Sequence, residues 1–446
     1  MPLIETIKHW FADGVFRRIF KNAALLLSGR AANGVLGLVT LSLMAQGLGV
    51  ERFGLVILAQ TYVLVIAGLT TFQSWQAVIR YGAGHLQNNN RAAFQSLIKF
   101  TSLLDVLGVV VGAVIGYLAV PVVGPWLEWD AEMIGYAQPF SLLILFTMVA
   151  TPTGLLRLFD RFDVLSWQTT ITPLLRLMGV AVAVVIDAPI WAYLLAWFVA
   201  GVVGNGLLVV LGWREAARRG VLGGMTWSLR DLSQGHDGIW KFSFASNFYS
   251  SLQLITGHMA TFLVGIVAGP AAAGLYKIGR DVATALTKPA EMLNQSIYPE
   301  FAKLGATGTW HEFTRLILRG GALAGGAGVL LLLLSVVAGK AFLGFFFGPD
   351  FIAAYAVLVL LIAAATLTVT GFSMDPALYA MGRPGIPLRV NFVSIILIFL
   401  PLLAYLGQSQ GPVGAGLAAL IAATVTFIAT AVFTVVELRK RVAPSA

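Results

Sequence analysis

The chain has 446 residues, of which 58% are hydrophobic and 11% are charged, and its mean hydropathy is +0.85. A soluble domain does not need so large an apolar fraction, because its hydrophobic core stops growing beyond about 250–300 residues. Apolar runs recur along the chain, and each is long enough for one helical crossing of a bilayer. The shorter alternating segments of a membrane β-barrel are absent from the sequence. The sequence therefore predicts an all-α integral membrane protein.

The net charge of +9 and the absence of cysteine limit the possible functions further. Without cysteine, the chain can form no disulfide, no thiolate nucleophile and no cysteine metal ligand. No P-loop is present either, so direct use of ATP is not expected. We expect no cofactor, no metal site and no nucleic-acid partner, because the distribution of the positive charge indicates membrane topology.

The N-terminal residues 1–21 predict an amphipathic helix that lies in the membrane interface. Its apolar residues recur at helical spacing and its basic residues fill the other face, as in helices that bind an anionic leaflet. The apolar set is Leu3, Ile4, Ile7, Trp10, Phe11 and Val15, and the basic set is Lys8, Arg17, Arg18 and Lys21. No cleavable signal peptide is expected before the first span.

Twelve membrane spans are predicted after this helix, in two pseudo-symmetric six-helix bundles around a central cavity. The bundles are predicted at 22–211 and 241–438, joined by a linker at 212–240 and followed by a basic tail at 439–446. The spans are expected at 23–46, 53–74, 100–121, 136–156, 169–187, 190–211, 241–267, 273–297, 316–338, 352–373, 389–407 and 413–436.

The distribution of Lys and Arg predicts the orientation of the chain. An even number of spans places both termini on one side, and that side carries 22 of the 29 basic residues, against 4 on the other side. Because cytoplasmic loops are rich in Lys and Arg, we expect both termini in the cytoplasm.

Two glycine-marked elbows join the first two spans of each predicted bundle. The first contains Gly49 and Gly54, and the second contains Gly269 and Gly274, with four residues between the glycines in both. We interpret the elbows as equivalent hairpins on the periplasmic side that act as hinges or gates.

Polar residues inside spans indicate a protein-lined or water-filled interior, because a charge exposed to hydrocarbon is costly. The densest stripe lies on one face of the eighth span and consists of Lys277, Arg280, Thr284, Lys288, Glu291 and Gln295. The predicted substrate-binding residues are the cations in spans, namely Arg30, Arg176, Lys277, Arg280 and Lys288. Acidic residues in spans were counted as Asp105, Glu291 and Asp375. An excess of cations favours an anionic substrate such as a phosphate or pyrophosphate. For Lys277, the alternative is that its ammonium group reaches the interface.

Three residues are candidates for coupling to an ion gradient, namely His258, Glu291 and Asp105, because buried groups of these types can change charge at accessible pH. A structural role remains the alternative for each. Pro289 lies within the polar stripe and is a candidate hinge, with a static kink as the alternative.

Several motifs in order along the chain resemble those of the lipid-linked oligosaccharide flippases of the polysaccharide biosynthesis family. These proteins belong to the multidrug/oligosaccharidyl-lipid/polysaccharide exporter superfamily. The motifs are Leu48-Gly49-x-x-x-Phe53-Gly54, Ala273-Gly274-Leu275-Tyr276, Pro299-x-x-Ala302-Lys303-Leu304, Phe347-Gly348-Pro349-x-Phe351 and Gly382-Arg383-Pro384.

The resemblance implies an inner-membrane flippase that moves a polyprenyl-pyrophosphate-linked glycan, an O-antigen or exopolysaccharide repeat unit, to the periplasmic leaflet. It also implies alternating access driven by an ion gradient, with a cationic cavity to which Arg30, Lys277, Arg280 and Lys288 correspond by position. Besides the lipid-linked oligosaccharide and membrane lipids, it leaves a polysaccharide polymerase and chain-length proteins as candidate partners.

Three alternatives remain open from the sequence. A multidrug and toxic compound extrusion (MATE) antiporter shares the architecture but should carry deep acidic residues, and a lipid II flippase usually has fourteen spans. A membrane enzyme of glycan assembly, a polymerase or ligase, generally needs a large periplasmic loop, which this chain lacks. The sequence therefore favours a transporter over an enzyme.

Overall fold

A computed structural model describes the backbone of residues 14–226, 228, 232–244, 246–247 and 258–442. Within these ranges it describes the side chains from residue 33 onward, except those of 286–300, 302–303, 306 and 442. The described part of the chain is helical with no strand, which confirms the predicted all-α membrane fold.

The helices follow one another with short connections. They are α1 (Gly14–Thr70), α2 (Ser74–Gln87), α3 (Arg91–Val123), α4 (Ala131–Ser141), α5 (Ala150–Leu158), α6 (Phe162–Val185), α7 (Ile190–Arg218), α8 (His258–Thr307), α9 (Trp310–Phe347), α10 (Tyr355–Thr370), α11 (Met374–Ala380), α12 (Gly385–Val393) and α13 (Leu400–Val442). Short 3₁₀ segments follow α3, α4 and α9, and a π-helical turn joins α12 to α13.

Nine helical stretches of the described residues are long and apolar enough to cross a membrane. Three of them contain one glycine with positive φ at which two helices meet: Gly49 (φ 70°) in α1, Gly269 (φ 79°) in α8 and Gly411 (φ 58°) in α13. Only glycine adopts this backbone region without strain. These glycines separate the pairs of spans that the sequence predicts as one and two, seven and eight, and eleven and twelve, so the helices accommodate about twelve spans.

The chain forms two compact units. The first comprises Met1–Gly47 and Ala59–Met259, and the second comprises Leu48–Leu58 and Ala260–Ala446. The segment Leu48–Leu58, which includes the first elbow, therefore groups with the second unit although it comes from the first half of the sequence.

The terminal segments differ from the predicted boundaries. Residues 14–21 continue into α1 without a helix break, and the rest of the predicted interfacial helix lies outside the described residues. The predicted linker begins later than expected, because α7 continues to Arg218.

The linker is attached to the first unit by side chains of α3 that donate to its backbone carbonyls. Gln95 Nε2 donates to Val221 O at 2.8 Å, and Lys99 Nζ donates to Ser228 O at 3.0 Å. Arg91 and Ser96 make further bonds of this kind. Since Arg91, Gln95 and Lys99 are spaced by four, one face of α3 holds the linker.

The two halves of the sequence repeat one ion-pair arrangement at an offset of 222 residues, which we call the twin clamps. In the first unit, Arg161 precedes α6 and pairs with Glu215 at the end of α7 at 2.6 Å. Arg219 bonds both Glu215 and the carbonyl of Phe159.

The second unit contains the equivalent clamp. Arg383 precedes α12 and pairs with Glu437 near the end of α13 at 3.2 Å. Arg441 donates to the carbonyl of Met381, as Arg219 does to that of Phe159. Both glutamates are buried, at 6% exposure. The repeat extends to the elbows, where Gly49 and Gly269 lie 220 residues apart.

Candidate functional site

The two elbows pack against each other inside the second unit. A Cβ atom added at Gly54 would overlap the carbonyl oxygen of Pro270, and one at Gly274 would lie 2.9 Å from Phe53 Cδ1. Glycine at both positions therefore permits this close backbone approach. The Phe53 ring is fully buried and meets Phe351 edge to face, with centroids 5.3 Å apart.

The motifs on which the family resemblance rests thus gather in two places. Those containing Phe53, Gly274 and Phe351 meet at the elbows. Those containing Phe301 and Met381–Arg383 contribute to a core with Phe313 at the opposite end of α8. Their order along the sequence therefore reflects packing within one unit.

Lys277 and Arg280 lie on successive turns of α8, just after the second elbow. Lys277 Nζ pairs with Asp281 Oδ2 at 2.5 Å. Arg280 Nη1 donates to Thr261 Oγ1 at 3.3 Å. Of these two cations, Lys277 has a carboxylate partner and Arg280 has a hydroxyl partner among the described residues.

The sequence-based count of acidic residues in spans was wrong, because it omitted Asp281. The spacing of four between Lys277 and Asp281 is the signal that could have revealed the pair, since such side chains are neighbours on a helix. The excess of cations in the spans is therefore smaller than expected, and Arg280 takes more of the predicted anion-binding role.

Arg176 lies in α6 on the face that packs against α7. Its guanidinium stands over the Trp197 ring, 5.3 Å from the centroid, and its Nε atom is buried without a partner among the described residues. On the same face, Gln168 Nε2 donates to Gly204 O at 2.6 Å. An aromatic face therefore partners this deep cation, as in other cation–π pairs.

Asp105 is buried in α3 of the first unit. Its Oδ2 atom accepts the backbone N–H of Thr151 in the first turn of α5 at 2.8 Å. Asp105 and Arg176 both belong to the first unit but have different partners.

The remaining predicted site residues are only partly described. His258 is half-buried at the first described residue of α8. The side chains of Arg30, Lys288, Pro289 and Glu291 lie outside the described residues. The backbone around Pro289 is helical, so within α8 only Gly269 departs from helical dihedral angles.

Comparison with known proteins supplies the context for these residues. Residues 19–305 match the family described as polysaccharide biosynthesis protein. The inner membrane protein YghQ of Escherichia coli (strain K12) is 35% identical over 351 residues, which are 78% of this chain and 98% of that protein.

Solved structures show the same fold at low sequence identity. An inward-facing multidrug resistance MATE family transporter of the MOP superfamily matches with a TM-score of 0.71 at 13% identity, covering 93% of this chain and 96% of its own. The lipid II flippase MurJ in an inward closed conformation matches with a TM-score of 0.64 at 12% identity, covering 94% and 90%.

Proposed function

Because the chain belongs to the polysaccharide biosynthesis protein family, we propose that it is a flippase for a polyprenyl-pyrophosphate-linked oligosaccharide. It is a multi-pass inner-membrane protein with the fold of MOP superfamily transporters. In this proposal it moves the lipid-linked glycan from the cytoplasmic to the periplasmic leaflet by alternating access. It acts as a transporter rather than as a polymerase or ligase, and both termini lie in the cytoplasm.

The observation that carries the proposal is the position of Arg280. This arginine lies in a predicted membrane span, and its recorded hydrogen bond goes to the hydroxyl of Thr261. Its neighbour Lys277 is neutralised by Asp281 within the same helix. A guanidinium group without a carboxylate partner retains its charge for a substrate and can bind a phosphate through two parallel hydrogen bonds.

The remaining predicted cations complete the proposed binding set. Arg30, Lys288 and Arg176 are kept as secondary contacts to the pyrophosphate or glycan, because the sequence places each inside a span. The elbow glycines are proposed as a gate, since their close backbone contact is tight enough to exclude substrate while it persists.

The test is complementation of a deletion strain that lacks redundant transporters. We expect lipid-linked repeat units to accumulate in the inner leaflet and surface polysaccharide to fall. The wild-type gene should restore export, Arg280→Ala should not, and Arg280→Lys should restore it only partly because lysine lacks the planar guanidinium fork.

Lys340→Ala is the matched control, since Lys340 stands over the Tyr355 ring, away from the stripe. It should complement like the wild type. Normal surface polysaccharide in the deletion strain would contradict the flippase proposal, and so would sensitivity to cationic dyes as the only defect, which indicates a multidrug antiporter.

A further inference from the structure

Two breaks in membrane helices meet at one point of α3 in the first unit. One break lies between the end of α1 at Thr70 and the start of α2 at Ser74. The other lies between the 3₁₀ segment that ends at Thr147 and the start of α5 at Ala150. Transporters often place ion and substrate sites where helices are interrupted inside the membrane.

Glycines bring these breaks close to α3. A Cβ atom at Gly108, one turn beyond Asp105, would overlap the carbonyl oxygen of Thr70. A Cβ atom at Gly154, one turn beyond Thr151, would lie 2.9 Å from Trp75 Cα. The starts of α2 and α5 are therefore packed closely around Asp105.

Three buried oxygen atoms face one another here without completing a hydrogen bond to any described atom. They are Asp105 Oδ1, Ser74 Oγ and Thr151 Oγ1. Their residues are 4%, 3% and 1% exposed. Both hydroxyl groups are near enough to interact with the carboxylate. A buried polar atom without a partner costs about 1–3 kcal/mol, so three together suggest a missing ligand.

The second unit has the same broken span without the carboxylate. At the offset of 222 residues, Thr151 corresponds to Ser373 and Asp105 corresponds to Ala327. Ser373 is buried where α10 gives way to α11, and its hydroxyl donates to Ile317 O at 3.4 Å. The fold therefore makes this break without an acid, so the need to stabilise the break does not explain Asp105.

We propose that Asp105, Ser74 and Thr151 form a proton-binding site at which Asp105 alternates between carboxylic acid and carboxylate. In the acid form, Oδ1–H donates to one of the two hydroxyl oxygens. On release, the proton leaves as H⁺ and both hydroxyls rotate to donate to the carboxylate. The use of this exchange in the transport cycle rests on the proposed function, whereas the protonation itself does not.

The surroundings favour a proton over a metal ion. Hard metal cations take about six oxygen ligands or more, whereas this cluster offers three free oxygens. The N-terminus of α5, whose Thr151 N–H binds Oδ2, also repels a cation and stabilises the anionic form.

The charged groups on the packed elements are basic and engage other partners. Arg80 on α2 stands over the Phe242 ring, Arg157 on α5 stands over the Trp75 ring, and Lys99 on α3 binds linker carbonyls. None of the salt bridges recorded among the described residues involves Asp105. Desolvation and the two hydroxyls therefore determine how this carboxyl group holds its proton.

The direct test is infrared difference spectroscopy of the purified wild-type protein across a pH series. We expect a carboxylic-acid C=O band that titrates, is lost in Asp105→Asn and persists in Asp375→Asn. Asp375 is the control because it lies in the first turn of α11 in the second unit. If Asp105→Asn fails to fold, Ser74→Ala supplies the second test, because removal of one hydroxyl should change the midpoint of the band.

A band that is unchanged in Asp105→Asn, or no titrating band, would overturn the proton site. A band that responds to Na⁺ at constant pH would overturn the choice of ligand. In proteoliposomes, Asp105→Asn should lose stimulation of flipping by a proton gradient. Absence of flipping by the wild type, with the band intact, would instead count against the proposed function.

Discussion

At the scale of single residues, a few positions are constrained by backbone contact. Gly54 is the clearest case, since its Cα approaches the second elbow where a side chain would overlap Pro270 O. Gly49 differs, because a Cβ there would meet no atom within 4 Å, yet its φ of 70° disfavours any side chain. The same residue type thus serves two different physical needs within one elbow.

Substitution of Gly54 by alanine should destabilise the second unit. We expect a loss of about 1–3 kcal/mol, because the elbows must separate or distort to admit the methyl group. Thermal unfolding of the purified protein measures this loss. Gly37→Ala is the control, since Gly37 is helical with open space around it, and the change should be neutral or slightly stabilising. Equal unfolding temperatures for both variants would contradict the elbow contact.

A second residue-scale prediction concerns His236 in the linker. His236 Nδ1 lies 2.9 Å from His85 Nε2, and its other ring nitrogen is buried without a partner among the described residues. Burial, and secondarily the nearby His85, lowers the pKa of His236 below its usual 6.5. The unfolded or detached linker therefore binds more protons at acidic pH than the attached linker does.

Attachment of the linker should consequently be strongest above about pH 6.5 and weaken as the pH falls below that value. Hydrogen–deuterium exchange of the amides of 232–239, normalised to intrinsic rates, should show less protection at pH 5.5 than at pH 7.5. His236→Asn should remove most of this pH dependence. Protection that rises on acidification would show that the sign is wrong.

At the scale of elements, the twin clamps connect the loop before α6 to α7 and the loop before α12 to α13. Each is centred on a buried glutamate that a single helix could not satisfy, because its arginine partner lies 54 residues away in both cases. Arg161 is the better shielded partner, with 27% of its side chain exposed against 54% for Arg383. The repeat at matching positions indicates a framework role rather than a substrate site.

Glu215→Gln should therefore destabilise the protein more than Glu437→Gln. We expect about 1–3 kcal/mol for the first and less for the second, because exposed partners are screened by water. Thermal unfolding of both variants tests the order, and a double-mutant cycle with Arg161→Met isolates the pair energy. A coupling energy near zero would mean that the clamp in the first unit contributes only packing.

At the scale of the whole molecule, the division of basic residues between the two sides determines orientation. Reporter fusions should show a fluorescent protein active at the C-terminus and alkaline phosphatase inactive there. Phosphatase inserted after Asp187, in the loop between α6 and α7, should be active. The reverse pattern would contradict the predicted topology, and the assignment of the elbows to the periplasmic side with it.

The sequence alone predicted the membrane class, about twelve spans, the glycine elbows and the family, because hydropathy, glycine and motif order are local properties of the chain. It also identified Asp105, Arg176, Lys277 and Arg280 as unusual, since charges in spans are rare. It overlooked Asp281, although the signal was present in the spacing.

Only the tertiary structure assigned partners to these residues. Asp105 and Thr151 are separated by 46 residues, and Arg161 and Glu215 by 54, so no periodicity could bring them together. The grouping of Leu48–Leu58 with the second unit was equally unreadable from hydropathy. The reason is physical: local patterns determine where helices form, whereas close packing at glycines decides which buried groups meet.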